Sequence, residues 1–149
     1  MVRCGIALYG YPPVQTNEPL LPVMEVKAKV IALRQVLPGD GVSYGHTYKA
    51  DRPRMIASIG IGYADGYQRL FSNQDYFVFN QIHLPVVGRV CMGVTMVDAT
   101  DVNLSVGDQV EVFGLNKSLN LMAKTVQTIT YELLTNMSKK RICFQYSES

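Results

Sequence analysis

Between Met24 and Val30 the chain reads Met-Glu-Val-Lys-Ala-Lys-Val, apolar and charged residues in strict alternation. That is the period of a strand with one dry and one wet face. After Val30 the phase slips, and Ile31 and Leu33 carry the apolar set onward on the opposite parity. One extra residue in a strand exchanges its two faces, so the slip predicts a bulge or strong coiling at Val30-Ile31. Pro38-Gly39-Asp40-Gly41 then stops the strand, the proline fixing φ and the glycines supplying positive φ.

Further short strands are expected at Gly41 to Tyr44, Arg54 to Ile61, Tyr76 to Phe79, Ile82 to Val87, Arg89 to Met92, Thr95 to Val97 and Gln109 to Phe113. Turn signals separate them, at Asn80-Gln81, Asp98 to Asn103 and Val106-Gly107-Asp108, so the residues predict a closed barrel or a sandwich. One segment breaks the pattern. Met122, Val126, Ile129, Leu133 and Met137 recur at spacings of four, three, four and four, which lines one face of a helix that would cap the barrel, with Asn120 as its N-cap. Asn17 to Pro22 reads as a mobile surface loop.

At 149 residues, 48% of them hydrophobic and 17% charged, the chain can bury one core, and a single soluble globular domain is expected. The net charge of +2 is dispersed and its densest cationic stretch is Lys139-Lys140-Arg141, which gives no nucleic-acid surface. Cys4, Cys91 and Cys143 are odd in number and lack a CxxC spacing; a reducing, cytoplasmic setting fits, and a structural zinc does not. His46 and His83 stand apart from each other and read as packed or exposed imidazoles, so no metal is expected. There is no run of 18 apolar residues and no leader pattern, hence no membrane partner for this segment.

Two stretches carry the functional signal. Ile61-Gly62-Tyr63-Ala64-Asp65-Gly66 sets a tyrosine and an aspartate among glycines, and Gly88-Arg89-Val90-Cys91-Met92 repeats the style. Glycines there let the backbone turn sharply or approach a ligand. At the start, Met1 runs directly into Val2-Arg3-Cys4-Gly5-Ile6, a dense motif without a lead-in, so the chain reads as cut and its first residues as a domain junction, where binding sites are commonly built.

These motifs, together with Tyr9-Gly10, Ser43-Tyr44-Gly45 and Ile129-Thr130-Tyr131-Glu132, resemble bacterial alanine racemase over nearly the whole chain. The resemblance implies a division into residues 1–10, a junction after an absent (β/α)8 barrel, and residues 11–149, the C-terminal domain. The implied fold class is all-β, a closed Greek-key-like β-barrel with a short capping helical segment near the C-terminus. The implied cofactor is pyridoxal 5'-phosphate, held covalently by a lysine of the absent barrel, so the domain by itself is expected to be inactive. The implied partners are alanine and a second subunit in a head-to-tail homodimer.

Residue by residue, the resemblance makes Tyr44 the catalytic tyrosine that faces the cofactor from the side opposite the lysine. Racemisation by two bases needs one group on each face of Cα, and a phenol with an ordinary pKa of about 10 needs neighbouring positive charge or hydrogen-bond donors to serve as a base. Arg3 corresponds to the arginine that donates to the pyridine nitrogen, where a guanidinium keeps its own proton and limits electron withdrawal into the ring. Gly5 and Ile6 resemble main-chain donors to the cofactor phosphate, and Tyr131 a hydroxyl donor to it. Tyr63 resembles a gate at the mouth of the substrate channel, and Met92 the residue whose main-chain N–H meets the substrate carboxylate. Arg89 resembles a channel arginine, while Asp65 reads as a turn-former. In the implied dimer Tyr44, Tyr63 and Met92 serve the partner's cofactor, and Arg3, Gly5, Ile6 and Tyr131 their own.

Two departures are visible. Gly93 stands where the family ordinarily has aspartate, and Arg141-Ile142-Cys143-Phe144-Gln145-Tyr146 keeps only the first of two usual arginines. The first leaves room for a serine racemase of related type. An inactive β-barrel interaction module is the alternative outside enzymes.

Overall fold

The structure, a computed structural model, describes residues 5–12, 20–137 and 142–146. Of the expected features, Arg3, Cys4, the basic trio and residues 17–19 of the Asn17 to Pro22 loop lie outside the described residues.

Among the described residues eight strands follow in order: β1 (Val26–Val36), β2 (Gly41–Val42), β3 (Tyr48–Lys49), β4 (Arg54–Ile59), β5 (Tyr76–Phe79), β6 (Ile82–Pro85), β7 (Thr95–Asp98) and β8 (Gln109–Phe113). Two short helices close the order, α1 (Leu119–Thr125) and α2 (Thr130–Asn136). The fold is thus mostly β, with an antiparallel six-stranded sheet in the order β6-β5-β8-β1-β4-β7 and a separate β2-β3 pair. The two end strands of the sheet adjoin through one antiparallel bridge, Val86 opposite Val97, and Val87 N–H donates to the Met96 carbonyl at 2.9 Å. The antiparallel, mostly β character expected from sequence is present, and the ends of the sheet meet through this one bridge.

β1 organises the sheet. Its first half pairs with β8 and its second half with β4, and the register shifts between Val30 and Ala32, where the alternation slips. Val26, Ala28 and Val30 face the main core, whereas Val36 packs in a smaller cluster with Val42, Ala50, Ile56 and Val87. The extra residue, Ile31, is left exposed, as a bulge requires.

Three expected elements differ. The strand at Gly41 ends at Val42, because Ser43 takes φ 63 and the chain enters a 3-10 turn over Tyr44–His46. Arg89 to Met92 forms no strand: Gly88 at φ 76 redirects the chain, and the segment bonds to other loops. The capping helix is split in two. Gln127, at φ 55, occupies a left-handed position, Thr128 N–H reaches back to the Ala123 carbonyl at 2.9 Å and Gln127 N–H to that of Lys124 at 3.2 Å. This is a Schellman ending with glutamine in the place usually held by glycine. Ser118, whose side chain accepts from Asn120 N–H, is the N-cap in place of Asn120.

The main core gathers Tyr67, Phe71 and Phe77, with Tyr67 stacked on Phe71 at 4.6 Å and edge-on to Phe77 at 5.0 Å, and the helices add Leu119, Met122 and Leu133. A charged pair lies inside it. Lys117 Nζ donates to Asp75 Oδ2 at 2.7 Å and to the Tyr76 carbonyl at 2.5 Å, and Tyr67 Oη donates to the same carboxylate oxygen at 2.7 Å. The pair fastens the loop after β8 to the start of β5. Burial depresses the Lys117 ammonium below 10.5 although Asp75 opposes the shift, and burial, then the Asp75 charge, pushes Tyr67 well above 10.0.

Outside the strands, the loop after β4 is stitched to the loop after β6. Tyr63 N–H donates to the Cys91 carbonyl at 3.0 Å, Ala64 N–H to that of Met92 at 2.8 Å, and Thr95 Oγ1 to that of Ile61 at 2.7 Å. The approach is close because Gly62 lacks a side chain: a Cβ there would lie 2.2 Å from the Cys91 carbonyl oxygen.

Removing one partner of a buried ion pair strands the other charge, so Lys117→Ala is expected to cost roughly 3–5 kcal/mol in urea unfolding; a loss under about 1 kcal/mol would contradict the pairing. Gly62 has φ −157, ordinary extended backbone, so Gly62→Ala meets a purely steric penalty of about 1–3 kcal/mol by the same measurement. Tyr67 links stability to pH. The folded state keeps a phenolic proton that the unfolded chain releases near 10.0, so this contribution is intact below that pH and is lost as pH rises above it. Lys117 acts in the opposite sense below 10.5, so the check is a comparison: stability falls less steeply above about pH 10 in Tyr67→Phe than in the parent chain.

Candidate functional site

The loop at residues 88–94 is the hub on which the surface around Tyr44 is built. Gly88 admits the β2 end closely, since a Cβ there would lie 2.6 Å from the Val42 carbonyl oxygen. Its N–H donates to Asn73 Oδ1 at 2.5 Å, and Val90 N–H donates to Ser72 Oγ at 3.0 Å. Cys91 N–H donates to the Val94 carbonyl at 2.9 Å, which makes a tight turn with Met92 and Gly93 at its tip.

Three of the expected residues stand on loops fastened to this hub. Tyr44 is 73% exposed, Met92 62% and Tyr63 46%. Ser43, just before Tyr44, donates from Oγ to the Arg89 carbonyl at 2.6 Å and lies 3.4 Å from Cys91 Sγ. Tyr44 lines an open cleft of about 590 Å³ with Ile31, Ser43, Ser58, Cys91 and Met96. The exposed bulge residue of β1 therefore forms one wall. The Arg89 guanidinium packs over Gly45, where a Cβ would lie 3.1 Å from Nη1, so a permanent cation sits one residue from Tyr44. Asp65 is buried and accepts from Gly62 N–H at 2.9 Å through Oδ2, which holds the turn that presents Tyr63.

A second group is built elsewhere, on the 3-10 turn Ile6–Tyr9 and α2. Ile6 buries its side chain in the core while Gly5 stays exposed. A Cβ on Gly5 would lie 3.9 Å from Tyr131 Cε1, so the main chain at residue 5 and the half-exposed Tyr131 phenol share one surface. That combination, an approachable backbone beside a hydroxyl, suits an anion. Arg3, the remaining residue expected there, lies outside the described residues.

His83 stacks on Tyr76 at 4.0 Å, and the His46 ring leans on the Gly41 backbone. Among the described residues no group of three or more His, Cys, Asp and Glu could hold a metal ion, and no helix is long and apolar enough to cross a membrane.

Sequence reasoning gave roles to Tyr44, Tyr63 and Met92 but none to Ser43, Asn73, Asp75 or Lys117. Ser43 gave no warning, because nothing in a serine announces a positive φ. Lys117 gave none either, since a single lysine in a loop reads as solvated.

Residues 23–146 match the family model described as alanine racemase, C-terminal domain. Alanine racemase 1 of Clostridium acetobutylicum is 39% identical over 147 residues, covering 93% of this chain and 38% of its own length. The alanine racemase of Vesicomyosocius okutanii is 42% identical over 141 residues, with 93% and 40% covered. Among solved structures, the alanine racemase of Bartonella henselae with covalently bound pyridoxal phosphate superposes with a TM-score of 0.86 at 39% identity, over 91% of this chain and 39% of that one. That of E. faecalis gives 0.85 at 29%, over 93% and 39%. The chain thus spans about two fifths of the length of the relatives it matches. Architecture, matched span and shared identity agree, and the chain belongs to the family of alanine racemase C-terminal domains.

Proposed function

We propose that this chain is the β-domain of a pyridoxal-phosphate-dependent racemase that interconverts L- and D-alanine, the D-isomer serving cell-wall peptidoglycan. The observation that carries the reading is the exposure of Tyr44 in a cleft lined also by Cys91, beside which Met92 and Tyr63 are exposed on two loops hydrogen-bonded to each other. A phenol confined to the core could not reach a substrate held by another domain.

Pyridoxal phosphate, when bound, withdraws electrons from the amino acid and so weakens its Cα–H bond. Gly5, Ile6 and Tyr131 form an edge suited to its phosphate, and Arg3 is the proposed donor to its ring nitrogen; covalent attachment is left to a lysine of a second, N-terminal domain. Tyr44 Oη takes a proton from Cα on one face of the substrate, or returns it there. The Arg89 guanidinium beside Gly45 supplies positive charge near a developing phenolate. Met92 meets the substrate carboxylate through its main-chain N–H, and Tyr63 narrows the approach. Racemisation in either direction then requires the base on the opposite face to be supplied from outside this chain.

The reading includes a head-to-tail homodimer in which Tyr44, Tyr63 and Met92 complete the partner's site while Arg3, Gly5, Ile6 and Tyr131 serve their own. The bridge between Val86 and Val97 supports reading the sheet as a closed barrel. A cytoplasmic enzyme fits the unlinked cysteines Cys91 and Cys143. Gly93 at the tip of the Cys91 to Val94 turn removes a carboxylate beside Met92 and favours, as a second reading, a preference for serine.

The test joins this chain to the N-terminal portion of the Clostridium acetobutylicum relative. Exchange of the L-alanine Cα proton with solvent is expected to fall by about 10²–10⁴-fold in Tyr44→Phe with cofactor absorbance intact. Unchanged exchange would remove Tyr44 from the chemistry, and faster turnover of L-serine than of L-alanine by the parent fusion would favour the second reading.

A further inference from the structure

Ser43 has φ 63 and ψ −176. That region of backbone space is occupied almost only by glycine, because a Cβ there crowds the neighbouring peptide groups. A non-glycine residue persists in it only where surrounding contacts over-determine the conformation. At Ser43 those contacts are on its own side chain: Oγ donates to the Arg89 carbonyl at 2.6 Å and lies 3.4 Å from Cys91 Sγ. Two glycines frame the arrangement. Gly88 leaves room for the Ser43 Cβ, which a Cβ on residue 88 would meet at 2.8 Å, and Gly45 at φ 70 lets the chain turn beneath the Arg89 guanidinium.

The strained residue immediately precedes Tyr44. The torsions of residue 43 set the direction in which the next residue leaves the sheet, and nothing holds the Tyr44 ring by burial, since it is among the most exposed large side chains of the molecule. We propose that Ser43 is the positioning residue for Tyr44: its hydroxyl clamps a glycine-only backbone conformation onto the 88–94 loop and so aims the phenol into the cleft. A glycine would reach the same torsions without strain but without the clamp, and an alanine would keep the strain and lose the clamp. Serine gives both fixity and direction. What Tyr44 then does rests on the racemase reading; how it is held does not.

The experiment compares Ser43→Gly and Ser43→Ala with the parent in the 149-residue chain. The amide order parameter of Tyr44, measured by NMR relaxation, is expected to fall from the rigid range of about 0.85 toward about 0.6 or below in both variants. The thermal midpoint is expected to stay higher in Ser43→Gly than in Ser43→Ala, because glycine relieves the strain. A purely structural serine would lower the midpoint in both and leave Tyr44 ordered, and an unchanged Tyr44 order parameter in Ser43→Gly overturns the proposal. In the fusion described above, Ser43→Gly is expected to lower kcat about tenfold or more with KM within about twofold, as loss of aim in the reacting geometry requires; an unchanged kcat overturns the positioning role. If Tyr44→Phe leaves the fusion active, the racemase reading falls while the relaxation result still decides how Tyr44 is held.

Discussion

The missing side chain at Gly62 is the constraint on which the functional surface depends. With hydrogen alone on that Cα, the loop after β4 descends onto the loop after β6 until two amides meet two carbonyls, Tyr63 to Cys91 and Ala64 to Met92. Both segments lie outside regular strands, yet their backbone groups are satisfied as in a ladder. Tyr63 and Met92 are thereby fixed relative to each other. Gly88 does the same for the β2 end, and through Ser43 the Tyr44 turn joins the same hub.

The bulge in β1 shapes the ground beneath that hub. By exchanging faces at Ile31, one strand serves two cores: Val26, Ala28 and Val30 in the large one, Val36 in the small one. The small cluster, with Val42 and Val87, supports the loops from below. Ile31, turned outward, becomes a wall of the cleft that Tyr44 lines. A device that curves a sheet thus also makes an apolar surface beside a phenol, in keeping with the frequent placement of bulges next to functional sites. The Lys117, Asp75 and Tyr67 cluster ties the loop before α1 to the start of β5, and α1 packs against α2, which carries Tyr131.

The sequence was legible where periodicity and turn chemistry spoke together. The alternation of Met24 to Val30 and its slip gave β1 and its bulge, and Asn80-Gln81, with φ of 47 and 66, marked the hairpin between β5 and β6. It was silent where a residue acts against type. Gln127 takes a left-handed position that glycine would announce, so two helices read as one. Ser43 ends a strand that its neighbours would continue. Arg89 to Met92 has the residues of a strand but spends its carbonyls on loops. The motifs around Tyr44, Tyr63 and Met92 could be picked out from composition and order, whereas the hydrogen bonds that bring them onto one surface depend on contacts across tens of residues, to which no local pattern is sensitive.

The racemase proposal requires Tyr44, Tyr63 and Met92 to be held ready on loops that behave as part of the sheet. The direct measurement is amide hydrogen exchange at Tyr63 and Ala64 in the 149-residue chain. Protection of both amides at the level of the neighbouring β4 strand is the predicted result. Exchange at the rate of a free loop, with β4 itself protected, would show that the two loops are not joined and would contradict the account.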